Sequence, residues 1–424
     1  MLINANNLLH GDDRRIETEC IVIEEGCLHR FNDILRQCGV DGAIVGLFDT
    51  NTVRAVGMHV PAIDQMIVLN ANNLHADEAA VRSTLLQLRE DVKVIAAFGS
   101  GTVTDIARYC AKLKNLILVC CPTAASVDGF CSSVCAMTFN HTKVTVPAIA
   151  PKIVIADLAV IKNAPDRLVK SGLGDILGKY VSLADWKVAH LVTGEFYCEK
   201  TVKLVKDALN AVTDLVNNDI LQGDDFYLQI TYALLLSGLA MQLVGSSRPA
   251  SGAEHHFSHL LTIAPPTLGI HTDALHGESV GVGTLAIAEH YRKLATELQM
   301  DDSLAQQIEK TVAVIRQKKR IKNIAFYRRN FDTLADMLYK ENENDCLAAV
   351  NAQSLQDNWQ EIKQVLLDIP SVEELKSMYS KLGMKNSLSD IGVEESKKSL
   401  VIKLSPYIRN RLTFNRLSLL INEI

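Results

Sequence analysis

Asp175, His255 and His276 are of the residue types that hold a divalent metal ion, although they stand far apart in the chain. They occur in Gly174-Asp175-Ile176-Leu177-Gly178-Lys179, Glu254-His255-His256-Phe257-Ser258-His259 and Leu275-His276-Gly277. One hard carboxylate and two imidazoles suit an open site, in which three protein ligands leave a position for water or substrate. An earlier stretch, Phe98-Gly99-Ser100-Gly101-Thr102-Val103-Thr104-Asp105, is Gly-rich and of the kind that cradles phosphate. A nucleotide loop followed by a Lewis-acid site suggests hydride transfer at a carbon whose oxygen a metal polarises.

Each of these features has a plainer explanation. A lone His on an apolar helix is usually a packed core residue, but His255, His256, His259, His271 and His276 crowd one stretch. Residues four apart share a helix face, so His255 and His259 face the same way about one turn apart. The spacing at Gly99 is G-x-G-x-x-x-D rather than the dinucleotide G-x-G-x-x-G, and a simple strand-to-helix turn accounts for it as well. Free amides at the start of that helix would bind an anion. Asp49, at the end of a strand, can accept from ribose hydroxyls and repel a 2′-phosphate, or it can cap the next helix. The loop Pro122-Thr123-Ala124-Ala125-Ser126-Val127-Asp128-Gly129 follows another strand, where ligands of parallel sheets bind.

The elements that must position these residues divide the chain in two. Val- and Ile-rich runs at 20–23, 43–48, 65–69, 92–97, 116–120 and 153–156 read as strands buried on both faces of a parallel sheet. Amphipathic stretches such as 79–88 and 103–114 separate them, so an α/β Rossmann-like nucleotide domain is expected over 1–160. Beyond it, helices are expected at 168–184, 196–216, 225–244, 254–261, 280–298, 302–325, 331–340 and 355–367. No Gly or Pro occurs from 284 to 369, which favours helix. An all-helical metal- and substrate-binding domain is therefore expected over 161–424, with the active site in the cleft between the two.

Composition narrows the function. The chain has 424 residues, a net charge of -6 and no long basic run, which argues against nucleic acid and anionic membranes as partners. Its start, Met1-Leu2-Ile3-Asn4-Ala5-Asn6-Asn7, lacks a signal-like pattern. The most apolar segment, 231–244, is shorter than the about 20 residues a membrane span needs and reads as a buried core helix. Ten Cys without framework spacing indicate reduced thiols and a cytoplasmic location. The cluster Cys120, Cys121, Cys131 and Cys135 does not match zinc-ribbon spacing and reads as small apolar filler.

The Gly99 loop, the Pro122–Gly129 loop, 174–180 with Ser182-Leu183-Ala184-Asp185-Trp186, and Ser247-Arg248-Pro249-Ala250-Ser251-Gly252-Ala253-Glu254-His255-His256 resemble the sn-glycerol-1-phosphate dehydrogenases. That family has archaeal and bacterial branches and lies within the iron-type alcohol dehydrogenase and dehydroquinate synthase superfamily. The bacterial branch is the closer, and the likeness runs from about Asp49 to Tyr291, with a further basic-apolar match at 408–420. The resemblance implies metal ligands at Asp175, His255 and His276, and substrate contacts at Asp128, Asp175 and His259. It implies nicotinamide-nucleotide contacts at Gly99, Ser100, Gly101, Thr102, Val103, Thr123, Ala124, Ala125, Ser126 and Ser132, with Asp49 near the adenosine ribose. It further implies NAD(H), with NADP(H) as the alternative, one zinc or nickel ion, a phosphorylated three-carbon substrate and a homo-oligomer. The implied reaction is reversible reduction of dihydroxyacetone phosphate to sn-glycerol 1-phosphate. His259 would hold a substrate hydroxyl or deliver a proton, and Lys143, Lys179 and Arg248 are candidates for the phosphate. Three other readings compete: a polyol dehydrogenase, a cyclase that uses NAD transiently, and a catalytically silent nucleotide-binding scaffold.

Overall fold

The computed structural model describes residues 2–4, 16–139, 142–317, 324–331 and 334–422. The start of the chain apart from 2–4, and the last part of the helix expected at 302–325, lie outside the described residues. The Val- and Ile-rich runs form strands, as their residue types dictate. The strands are β1 (Leu2–Asn4), β2 (Cys20–Glu24), β3 (Ala43–Asp49), β4 (Gln65–Leu69), β5 (Val92–Gly99), β6 (Ile117–Pro122), β7 (Val134–Phe139), β8 (Thr142–Pro147) and β9 (Ile153–Asp157). Seven make one sheet in the order β1-β2-β9-β6-β5-β3-β4. The pairings from β2 through β4 are all parallel, which bears out the six expected strands, and β1 adds an antiparallel edge.

Both faces of this sheet are covered, which is why its strands read as continuous apolar runs rather than alternating ones. Phe31, Phe48 and Phe98 fill one face, with Phe48 and Phe98 stacked at 4.5 Å between ring centroids. Ile95, Ala97, Val103, Ile106 and Met137 fill the other. The β7–β8 hairpin was not expected from sequence. Its signal was an alternation: Cys135 and Met137 point inward with Ala136 exposed between them.

The helices are α1 (Phe31–Gln37), α2 (Thr52–Val56), α3 (Glu78–Gln87), α4 (Gly101–Lys114), α5 (Leu158–Ile161), α6 (Asp166–Leu177), α7 (Lys179–Thr193), α8 (Glu199–Asn217), α9 (Asp224–Val244) and α10 (Ala253–Ile263). They continue with α11 (His276–Glu297), α12 (Asp302–Arg316), α13 (Ile324–Phe331), α14 (Ala335–Glu341), α15 (Ala352–Asp357), α16 (Trp359–Leu367), α17 (Val372–Lys381), α18 (Lys398–Leu404) and α19 (Phe414–Asn422). The single helix expected at 168–184 divides at Gly178 into α6 and α7. Among the described residues α9 alone is long and apolar enough to cross a membrane, and most of it is buried inside the protein.

The chain forms two compact units, one of Met1–Ile176 with Lys203–Ser247 and one of Leu177–Val202 with Arg248–Ile424. In the first, the loop after β6 is pinned from two sides. Gly172 on α6 lies so close to it that a Cβ there would meet the Ala125 carbonyl oxygen at 2.2 Å. The buried Arg108 of α4 donates to the carbonyls of Gly129, Phe130 and Val134, at 2.8, 2.9 and 3.1 Å. One side chain thus satisfies three backbone acceptors that the irregular loop would otherwise leave unmet.

In the second unit, α7, α10, α11 and the C-terminal segment meet at Asp185, which is 1% exposed. Its carboxyl group accepts from the amides of Ala253 and Phe414 and from the Tyr291 hydroxyl, each at 2.7 Å. Tyr291 in turn accepts from the Asn415 amide at 2.9 Å. Burial, then the nearby Glu254 charge, raise Asp185 from 3.8 to about 7, against these three donors. An acid raised on folding stabilises most below its unfolded value and loses that contribution as pH rises. The unfolding free energy of the metal-free protein should therefore fall between pH 4 and pH 7, by roughly 3–5 kcal/mol from this group. Denaturant titrations of Asp185→Asn should show a flatter slope across that interval. An unchanged slope would mean that Asp185 stays ionised throughout.

Candidate active site

The Gly99 and Thr123 turns stand side by side, because β5 and β6 are parallel neighbours paired Gly99 to Pro122. The Thr123 amide donates to the Gly99 carbonyl at 3.2 Å. Ser100 is the N-cap of α4, but its hydroxyl does not cap the helix; it meets the Ser126 hydroxyl at 2.6 Å. The first intrahelical bond runs from the Thr104 amide to the Ser100 carbonyl, so the amides of Gly101, Thr102 and Val103 precede it at the helix's positive end. A Cβ at Gly99 would strike the Val103 side chain at 2.4 Å, so this glycine serves the packing of the turn. Thr102 is exposed and Val103 belongs to the core, while Ala124, Ala125 and Ser126 are buried. Ser132 is buried too, its hydroxyl accepting from the Val134 amide at 3.1 Å.

Asp49 ends β3 and accepts through Oδ1 from the amides of Asn51 and Thr52, both at 2.8 Å. It therefore orders the start of α2, the plainer of the two roles expected for it.

Asp128 and Asp175 are joined. The Asp128 amide donates to Asp175 Oδ2 at 3.0 Å, and the Ser237 hydroxyl of α9 donates to Asp128 Oδ2 at 2.9 Å. Asp175, near the end of α6, is fully buried and Asp128 is 8% exposed. A ligand carboxylate held by a neighbouring amide keeps its other oxygen directed. Ser237 lies within the apolar stretch 231–244, where nothing in the local pattern marks it as a partner of Asp128.

His255, His259 and His276 also converge. Their ring centroids lie 5.1 Å apart for His255 and His276, 6.1 Å for His255 and His259, and 6.0 Å for His259 and His276. His276 opens α11, and its neighbours on α10 sit one turn apart. His255 Nδ1 lies 2.6 Å from Glu254 Oε1, which also accepts from the Gly252 amide at 2.8 Å. With Nδ1–H donating a hydrogen bond to that carboxylate, the lone pair lies on Nε2, the form a metal needs. Sequence reading missed Glu254, although an acid directly before a ligand-type His stands in the motif.

Asp175, His255 and His276 each offer one ligand atom, all within 4.8 Å of one another, and so form a candidate metal site. The donor set fits a divalent ion: a hard oxygen, two imidazole nitrogens, and a carboxyl group behind one of the rings. The cysteines do not compete. Burial pushes the Cys120 thiol to about 11 and the Cys135 thiol to about 12, which keeps both protonated at neutral pH. Of the phosphate candidates, Lys179 is fully buried and donates to the Ala250 carbonyl at 2.9 Å. Arg248 forms two bonds to the Glu195 carboxylate and one to the Leu412 carbonyl. The Lys143 side chain lies outside the described residues.

Residues 22–165 match the family described as iron-containing alcohol dehydrogenase. A glycerol-1-phosphate dehydrogenase [NAD(P)+] of Geobacillus thermodenitrificans is 32% identical over 81% of this chain and 75% of its own length. One of Bacillus licheniformis is 35% identical over 58% of this chain, and the match spans 64% of that relative. Among solved structures, an iron-containing alcohol dehydrogenase of Corynebacterium glutamicum aligns with a TM-score of 0.59 at 16% identity, over 97% of this chain and 95% of that one. That likeness bears on the fold, a parallel-sheet domain followed by a helical one. The relatives extend it through α10 and α11, where the His cluster stands, and on that ground the chain belongs to the glycerol-1-phosphate dehydrogenase family.

Proposed function

We propose that this protein is a metal-dependent, NAD(P)(H)-linked oxidoreductase that reversibly reduces dihydroxyacetone phosphate to sn-glycerol 1-phosphate. The observation that carries the reading is the set of ligand atoms from Asp175, His255 and His276 within 4.8 Å, in a chain related to enzymes named glycerol-1-phosphate dehydrogenase. A divalent ion held there would supply Lewis-acid polarisation of the carbonyl, and the reduced nicotinamide would supply the hydride. Zinc and nickel both suit this donor set.

The chain's own groups have separate tasks. Glu254 orients the His255 ring, and the Asp128 amide orients the Asp175 carboxylate. His259 is half-buried among the three rings, where one of its ring nitrogens can hold a substrate hydroxyl or pass it a proton. Pyrophosphate would lie against the opening amides of α4 and the paired Ser100 and Ser126 hydroxyls. Asp49 Oδ1 is engaged by two amides, and the charge it brings to the end of β3 would disfavour a 2′-phosphate, which makes NAD(H) the better partner.

Two experiments test this. Replacing His255 or His276 with Ala should lower metal content from about one equivalent per chain to near zero, and turnover with it, because a three-ligand site does not hold with two. Full activity in a metal-free variant would end the reading. Asp49→Ala should raise KM for NADH more than for NADPH. An unchanged preference would restrict Asp49 to capping α2.

A further inference from the structure

Two imidazoles outside the His cluster also meet. His29 Nε2 lies 3.2 Å from His59 Nδ1, with the ring centroids 5.0 Å apart. His29 is exposed and His59 half-buried. Among the described residues neither ring has another hydrogen-bond or ion-pair partner. Both line a cavity of about 280 Å³, together with Asn32, Asp33 and Ala62. All of these residues belong to the first compact unit, and none to the set of Asp175, His255 and His276.

The backbone braces the turns that carry the two rings. His29 stands in the turn Cys27–Arg30, which leads directly into α1. The buried Asp157 carboxylate accepts from the Gly26 and Leu28 amides at 2.8 and 3.0 Å. The His29 amide donates to the Gly26 carbonyl at 3.1 Å. His59 ends the turn Gly57–His59, which Gly57 enters at a φ of 52°. Asn32 ties one turn to the other, its Nδ2 donating to the Ala62 carbonyl at 2.9 Å. The two imidazoles are thus brought together before any ligand arrives.

A hydrogen bond between two solvated imidazoles adds little, because water competes for both nitrogens. The same spacing suits a shared ion. Two metal–nitrogen bonds of about 2.0–2.1 Å at a tetrahedral angle place their nitrogens about 3.3 Å apart. The cavity has room for the waters that complete such a shell. The Asp33 carboxylate, on the first turn of α1, is engaged by Arg36, so the protein supplies two ligands here rather than three.

We infer that His29 and His59 form a second, weaker metal site, for a divalent ion of borderline softness such as zinc or nickel. Two protein ligands hold such an ion exchangeably, so it leaves on desalting, whereas the three-ligand site keeps its own. The inference does not depend on the reaction proposed above.

The test is equilibrium dialysis of desalted, zinc-loaded protein against added zinc at neutral pH, in the wild type, His29→Gln and His59→Gln. The wild type should take up one further equivalent, and the Kd for it should rise at least about tenfold in each variant. The tightly held zinc and the turnover of the desalted enzyme should be the same in all three. Equal uptake by the three proteins would overturn the inference, and so would the absence of a further equivalent in the wild type. If one variant does not fold, the other decides the matter. Loss of the tightly held zinc from the wild type on desalting would instead overturn the functional reading, and the difference between wild type and variants would still decide this one.

Discussion

The 2.6 Å contact between the Glu254 carboxyl group and His255 Nδ1 is the constraint on which the site depends. Glu254 is fully buried, and taking a carboxylate out of water is costly unless it is paired. Here it meets an imidazole and the Gly252 amide at the start of α10, where the helix dipole favours negative charge. Asp185 adds a second buried acid at the same helix end, through the Ala253 amide. Two carboxyl groups this close repel each other, and part of the raised pKa of Asp185 is that repulsion. A fold tolerates such an arrangement when it fixes something that matters, and what it fixes is the orientation of His255.

The same logic recurs around Asp175, whose Oδ2 is held by the Asp128 amide while Ser237 holds Asp128. Arg108 keeps that loop in shape by binding three of its carbonyls. In each unit a ligand-type residue is held by a neighbouring group, Asp175 by the Asp128 amide and His255 by the Glu254 carboxyl. The helices of the second unit converge on Asp185, where the C-terminal residues Phe414 and Asn415 bond to Asp185 and to Tyr291, far earlier in the chain.

The sheet was legible because strands buried on both faces carry unbroken Val and Ile runs, and all six parallel strands stand where those runs lie. The helices that follow the His cluster were legible from the absence of Gly and Pro between 284 and 369. The hairpin was not, since two short alternating strands carry less signal than a buried run. The residues brought together as a candidate metal site, Asp175, His255 and His276, were visible by type, and the family resemblance assigned their roles. What sequence could not show was support from a distance. Tyr291 and Phe414 act on Asp185 across 106 and 229 residues, and Ser237 acts on Asp128 across 109. Nothing in local pattern announces such pairs. Arg411 was visible only as part of a basic ending, with no hint that it returns to Ser251.

X-ray absorption spectroscopy of the purified, metal-loaded protein tests the central claim most directly, because it reports which atoms surround the ion. The account predicts a first shell of nitrogen and oxygen only, with the scattering pattern of two imidazoles and one carboxylate. A sulfur ligand from one of the ten cysteines, or a shell with fewer than two imidazoles, would contradict it.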